Sequence, residues 1–327
     1  MSNINIGGRA GQANGAGSVL ANMPEIWQKE ILASFDQNAI APKLFLKRVL
    51  DHGKVAKFRV MGKGSANFHV AGEDIFDSGN SYVSDLKHNI QEVFIDRPLV
   101  AAETLDLQDM AMIDIPEVLR MEVTEELGRS LARTYDKYAL QKAVMAARES
   151  TVLTGGDSGE AITDADGKTN AASLIDTIFS AIQKLDEKNI PMDERVIVLR
   201  PAQYYVLVND STNNASRFNL DKDIGSEGSF ALGHVGRIGG VPVIKTNHLP
   251  ITDLSSAITG DTNDYSNDFS TTFGLVCHKS CIAQAMLKDL KFHSVEKPET
   301  LSINIMAYLM TGFGVIRPES AIELKTA

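Results

Sequence analysis

Three groups of residues have types and spacings that invite chemistry. Gly233, Gly236, Gly239 and Gly240 in the run GHVGRIGG resemble a phosphate-cradling loop. A dinucleotide fingerprint needs a strand before its glycines and a helix after them. Here the strand-like VPVIK follows, so the run reads as an ordinary loop. Cys277, His278 and Cys281 are close enough to suggest a metal. A structural zinc site wants four ligands, commonly as two separated pairs, and no second cysteine pair exists. Neighbouring strand residues such as Cys277 and His278 also point to opposite faces, so both thiols read as buried and free. His52, His69, His88, His234, His248 and His293 show no ligand spacing. The pairs Glu125–Glu126 and Asp193–Glu194 are adjacent and expected to be exposed, without the environment that tunes a carboxyl for acid–base work. Neither a GxSxG elbow nor a Walker motif occurs. No catalytic, metal or cofactor-binding residue is assigned, and nothing argues positively for an enzyme.

Composition narrows the classes further. With 43% hydrophobic and 23% charged residues in 327, the chain can bury a sizeable core in one large domain or two modest ones. Its formal charge is −10, with 32 Lys+Arg against 42 Asp+Glu and no strong basic cluster. Tight grip on nucleic-acid phosphates is therefore disfavoured. No apolar run reaches the roughly 18 residues that a membrane helix needs. The start, MSNINIGGRAGQANGAGS, lacks the apolar centre of a secretory signal, and two cysteines make no disulfide framework. Synthesis in a reducing cytosol is expected.

The elements that would position any such residues follow from periodicity. Residues 1 to about 24, rich in Gly, Asn and Ala, read as a tail that is floppy or ordered only against a neighbouring subunit. Lys57-Phe58-Arg59-Val60 alternates polar and apolar, as does Ile90 to Ile95, with Gly62, Gly64, Gly72 and Gly79 between. This predicts a long two-stranded hairpin with an extended, poorly packed tip. A lone two-stranded ribbon is marginal in water and needs something outside itself to lie on.

Asp114 and Glu117 form a capping box, and Pro116 suits a first turn. Leu119, Val123, Leu127, Leu131, Tyr135 and Tyr138 then make one apolar stripe. A helix to Arg148 would run roughly 34 residues, ~50 Å, against a typical ~11 residues. Thr154 to Lys168 reads as a loop and domain boundary. A second amphipathic helix carries Leu174, Ile175, Ile178, Ile182 and Leu185 and ends at Pro191. Val196 to Leu199 reads as a strand covered on both faces, and Pro201 opens a helix to about Val208. Residues 210 to 240 read mostly as loop. Strands are predicted at Val241–Lys245, Phe273–His278, Ile282–Leu287, Ser302–Met310 and Ala321–Lys325. Asp253, Asp261, Asp264 and Asp268 mark a solvated loop.

This order of parts resembles the tailed-phage capsid fold named after phage Hong Kong 97, an α+β fold. The chain resembles the major capsid proteins of short-tailed, T-seven-like podoviruses. The resemblance is carried by Gly53 through Phe58 with Met61-Gly62, and by Lys188-Asn189-Ile190-Pro191 with Arg195-Val196, Pro201 and Tyr204. It continues through Phe273-Gly274-Leu275, His278-Lys279-Ser280 and Leu287-Lys288-Asp289-Leu290 to Tyr308–Gly314 with Arg317-Pro318-Glu319-Ser320-Ala321. It spans residue 45 to the end in order, while the N-terminal arm and the loop around 250–270 depart from it.

The resemblance implies an N-terminal arm at 1–45 and an E-loop hairpin with its base at 46–110. It places a P-domain spine helix and following loop at 111–165, a mixed α/β A-domain at 166–286 and C-terminal P-domain strands at 287–327. It implies pentamers and hexamers closing into an icosahedral virion shell around double-stranded DNA, without sequence-specific DNA binding or any cofactor. Assembly would occur in the host bacterial cytoplasm with a scaffolding protein and a portal, a decoration protein being a further candidate partner. E-loops would reach over neighbours, which makes Lys57, Arg59, Lys63, Glu73, Asp74, Lys87, Arg317 and Glu319 the candidate subunit-interface residues. Some relatives weld subunits by a Lys–Asn isopeptide bond; no Asn or Glu here matches that motif beside Lys63 or Lys87, so a non-covalent shell is expected. The competing readings are an encapsulin-like compartment of the same fold and, further off, an α/β enzyme.

Overall fold

The computed structural model describes residues 19–77, 82–83, 86–106, 116–153, 156–209, 236–256, 263–287, 290–297 and 299–326. The tail 1–18, the Asp114 cap, Gly233, His234 and Asp261 lie outside these. A helix α1 (Val19–Asn38) starts earlier than the predicted end of the tail, followed by the one-turn α2 (Ala41–Leu44). Ile31, Phe35 and Ala39, four apart, are buried in the principal core with Ala41, Leu44 and Phe45. Residues 31–45 are thus packed onto the chain's own body.

What they pack on is α3 (Pro116–Arg148), 33 residues long, which carries the predicted apolar stripe and continues past Tyr138 to Arg148. Leu127, Leu131 and Tyr135 are buried and Val123 and Tyr138 partly so. Beyond Tyr138 the helix is buried on most sides through Ala139, Leu140, Ala143, Val144, Ala146 and Ala147. The α1–α3 crossing is close: a Cβ on Gly128 would sit 2.7 Å from Ser34 Cβ and 2.8 Å from the Ile31 carbonyl oxygen. Ser34 Oγ donates to the Glu125 carbonyl at 2.8 Å across the same crossing.

A six-stranded sheet runs in the order β5 (Glu160–Thr163), β14 (Ala321–Lys325), β9 (Thr272–His278), β6 (Arg195–Leu199), β8 (Val241–Lys245), β7 (Arg237–Ile238). Along β6, Val196 and Val198 join the core that holds α3, while Ile197 and Leu199 face the opposite core. That second core is built on α4 (Ala171–Glu187) and α5 (Pro201–Asn209), with Leu174, Ile175, Ile178, Ile182 and Leu185 buried as their spacing predicts. A strand buried on both faces needs a continuous apolar run, which is why VIVL lacks alternation. Asn170 caps α4, its side chain accepting from the Ala172 amide at 3.0 Å. Gly239 and Gly240, at the end of the glycine run, form the β7–β8 turn with φ of 56° and 81°. The turn joins two strands, whereas a fingerprint would lead from strand to helix.

Three further stretches depart from the prediction. The stretch expected as one strand from Ser302 to Met310 is β12 (Ser302–Leu309), and the chain then leaves its sheet to form β13 (Thr311–Val315) in another. β12 lies between β11 (Lys291–Lys297) and β4 (Leu99–Asp106); β13 pairs with β10 (Ile282–Leu287), which also pairs in parallel with β1 (Leu46–Leu50). The polar segment around 250–270 is anchored rather than merely solvated, since Tyr265 and Phe269, which directly follow Asp264 and Asp268, are buried. A short strand, β5, also sits inside the segment expected to be loop.

Candidate assembly surface

β2 (Val55–Met61) and β3 (His88–Phe94) pair antiparallel from Val55↔Phe94 to Met61↔His88 and form a sheet of two strands only. One face of the stem is held by apolar packing: Ala56, Val60, Val93 and Ile95 are buried with Leu153, Ala283, Ala285 and Ile316. That packing ends at Val60. Residues 63–77 are exposed throughout, including Phe68 at 100% and Phe76 at 84% relative exposure, with Val70, Ile75, Val83 and Leu86 also in solvent. A monomer seldom leaves so much aromatic surface wet without a partner for it.

The eight candidate interface residues fall into two sets. Lys57 pairs with Glu92 directly across the ladder at 2.9 Å, and Arg59 is exposed beside it. Glu73 accepts from Tyr82 Oη at 2.5 Å, Asp74 Oδ1 accepts from the Phe76 amide at 2.9 Å, and these bonds shape the exposed tip. Lys87 closes the stem, its carbonyl accepting from the Gly62 amide at 2.8 Å. Lys63, Arg317 and Glu319 instead converge at the root. Lys63 Nζ lies 3.0 Å from Asp157 Oδ2, Arg317 Nη2 donates to the Met61 carbonyl at 3.3 Å, and Arg317 Nη1 is 3.8 Å from Glu319 Oε1. Burial pushes the Glu319 carboxyl above the usual range, against the pull of Arg317 and Lys63.

The groups that invited chemistry have structural partners. Cys277 and Cys281 are free and buried, and burial together with the neighbouring Cys277 thiol pushes the Cys281 thiol far up, which disfavours the reactive thiolate. Among the described residues no three His, Cys, Asp or Glu side chains cluster to hold a metal. Glu125 and Glu126 pair with Arg129 and Arg133, and Glu194 with Lys279, all at the surface. Two fully buried carboxylates escaped the sequence reading. Asp136 accepts from the Ile40 and Ala41 amides at 3.0 and 2.9 Å, with His248 Nδ1 at 3.3 Å. Glu323 is taken by Arg148 and by Thr272 Oγ1, the latter at 2.5 Å. Each sits on a strand or helix with no local signal; only its partners, far away in sequence, explain it.

A hairpin with so thin a core of its own is what a subunit completed by its copies requires. Residues 57–325 match the Gp10A-like family, described as major capsid protein. The chain belongs to that family. The major capsid protein of Escherichia phage T7 is 24% identical over 336 residues, covering 94% of this chain and 92% of its own. In structure, the capsid of cyanophage P-SCSP1u superposes with a TM-score of 0.73 at 29% identity, over 88% of each chain. The mature capsid of bacteriophage PhiM1 gives 0.69 at 17% identity over 89% and 87%. The fold is therefore the expected Hong Kong 97-like α+β capsid fold, and the chain is a structural capsid protein of a tailed phage rather than an enzyme. Its place is the virion shell, built from copies of itself. The encapsulin-like alternative is not favoured.

Proposed function

We propose that this subunit forms pentamers and hexamers of an icosahedral shell around double-stranded DNA, each hairpin tip docking on a second copy. The observation that carries the reading is the exposed aromatic tip, Phe68 and Phe76, projecting beyond the last stem residue with an apolar core, Val60. In this reading Lys57, Arg59, Glu73, Asp74 and Lys87 meet the neighbour, and Lys63, Arg317 and Glu319 set the root. The divisions at 45, 110, 165 and 286 mark the N-terminal arm, E-loop, spine, A-domain and final strands. Contacts of this heterologous kind close only where the rotation permits, so a scaffolding protein and a portal are proposed to guide assembly in the host cytoplasm. A decoration protein is a further candidate for the outer surface. The charge of −10 suits a lumen that does not bind DNA tightly.

Electron microscopy of the full chain, expressed with and without its scaffold, tests the proposal. Closed shells or capsomers are expected, and a monodisperse monomer at high concentration under both conditions would overturn it. On a denaturing gel of mature shells a single band is expected; a ladder would reject the non-covalent shell.

A further inference from the structure

The β2–β3 ladder ends at Met61↔His88, and the Gly62–Lys87 bond is its last rung. Lys63 is the first residue beyond. Its ammonium donates to Asp157 Oδ2 at 3.0 Å and to the Lys188 carbonyl at 2.8 Å. Lys188 is the C-cap of α4, and Asn189 turns the chain away with φ of 57°. The Lys188 carbonyl therefore belongs to the end of the helix whose acceptors lack intrahelical donors, and a cation there meets the negative end of the helix dipole.

The same junction is tied from other directions. Lys188 Nζ donates to the Ser158 carbonyl at 3.0 Å and lies 3.3 Å from Glu160 Oε2. Asn89 Nδ2 donates to the Val152 carbonyl at 2.9 Å. Val152 and Asp157 are thus held by the hairpin, and Ser158 and Glu160 by the end of α4. Apolar packing holds the stem only as far as Val60, so these polar contacts act where the tip departs.

We propose that Lys63 is a positioning residue: bridging Asp157 and the carboxyl end of α4, it fixes the direction in which the tip leaves the body and so its reach toward a second copy. The last clause rests on the docking of the tip proposed above. The bridge is solvent-exposed on both sides, with Lys63 and Asp157 side chains 62% and 45% accessible, so salt weakens it.

Hydrogen–deuterium exchange of the full, unassembled chain tests the bridge in wild type, Lys63→Ala, Lys63→Arg and Asp157→Asn. Exchange in peptides spanning 59–63 and 86–90 should quicken roughly two- to five-fold in Lys63→Ala and Asp157→Asn. It should quicken in wild type at about 1 M salt relative to about 0.15 M, and stay near wild type in Lys63→Arg. Peptides from β6 and β9 should not change. Unaltered exchange at the root in both bridge-breaking variants would overturn the proposal, as would an equal rise throughout the chain. A spin-label distance between Val70→Cys and Ser180→Cys should broaden in Lys63→Ala at unchanged melting temperature, and slower shell formation should accompany it. A loosened tip with shells forming at the wild-type rate would overturn the positioning role. If wild type itself never forms shells, the docking reading fails while the exchange result still decides the bridge.

Discussion

Arg148, the last residue of α3, grips Glu323 in β14 through two contacts, Nε to Oε2 at 2.7 Å and Nη2 to Oε1 at 2.6 Å. Glu323 is fully buried, and Arg148 also reaches the Asp268 carbonyl at 2.5 Å and lies over the Phe269 ring. The pair therefore nails the end of the long helix to the six-stranded sheet and to the 263–270 segment.

Removing only one partner should be costly, because a buried carboxylate left alone cannot regain its water. Arg148→Met is expected to destabilise the unassembled chain by about 3–5 kcal/mol in urea denaturation, while Arg148→Met with Glu323→Leu recovers most of that loss. A double variant as unstable as the single one would show that the residues act separately.

Asp136 holds the entry to α2. Its carboxylate takes two backbone amides, Ile40 and Ala41, in a place closed to water. Asp136→Leu strands both donors, at about 1–3 kcal/mol each. Proteolysis should then cut first between 38 and 46, releasing α1 from α3, before the sheet opens.

Much of this body was legible because local pattern and burial agree. The stripe from Val123 to Tyr138 marked α3, and VIVL marked β6, since a strand between two cores has no wet face. The rest depends on partners remote in sequence. β4 pairs with β12 some 200 positions later, through Leu105↔Ile303, and alternation in LVAAETLD is too weak to announce it. The switch of sheets at Met310 is set by what β12 and β13 lie beside, not by a breaker in YLMTGFG. At the candidate surface, exposure of the tip followed from its polar glycine-spaced sequence. The convergence of Lys63, Asp157, Lys188, Arg317 and Glu319 could not, because four separate chain segments meet there.

Glu319 gives the stability a pH dependence with a definite sign. Burial raises its carboxyl pKa in the folded chain above the ordinary carboxylate value. From that ordinary value, about 4.3–4.5, up to the raised one, the folded state binds more protons than the unfolded. Its contribution to stability is thus present at low pH and lost as pH rises through this window. Glu149, raised by burial, acts in the same sense, while His278, lowered mainly by burial, acts oppositely below its ordinary value. The clean measurement is the difference between variants: Glu319→Gln should gain stability relative to wild type as pH goes from about 4.5 to 7. A constant difference across that range would remove Glu319 from the account.

The tip aromatics separate folding from assembly. Phe68 and Phe76 lie almost wholly in solvent, so Phe68→Ser with Phe76→Ser should shift the melting temperature of the unassembled chain little, within about 0.5 kcal/mol for each site. If each ring is buried against a neighbour in the shell, about 1.5–3 kcal/mol of apolar burial per ring is missing from every subunit contact. A loss of 1.4 kcal/mol is tenfold in an equilibrium constant, so the concentration at which light scattering reports shells should rise at least tenfold. Because the stem core at Ala56, Val60, Val93 and Ile95 is untouched, exchange in the ladder should stay at wild-type rates. Shells forming at the wild-type threshold would show that the aromatic tip is not the contact and that the hairpin meets its neighbour along the charged stem instead.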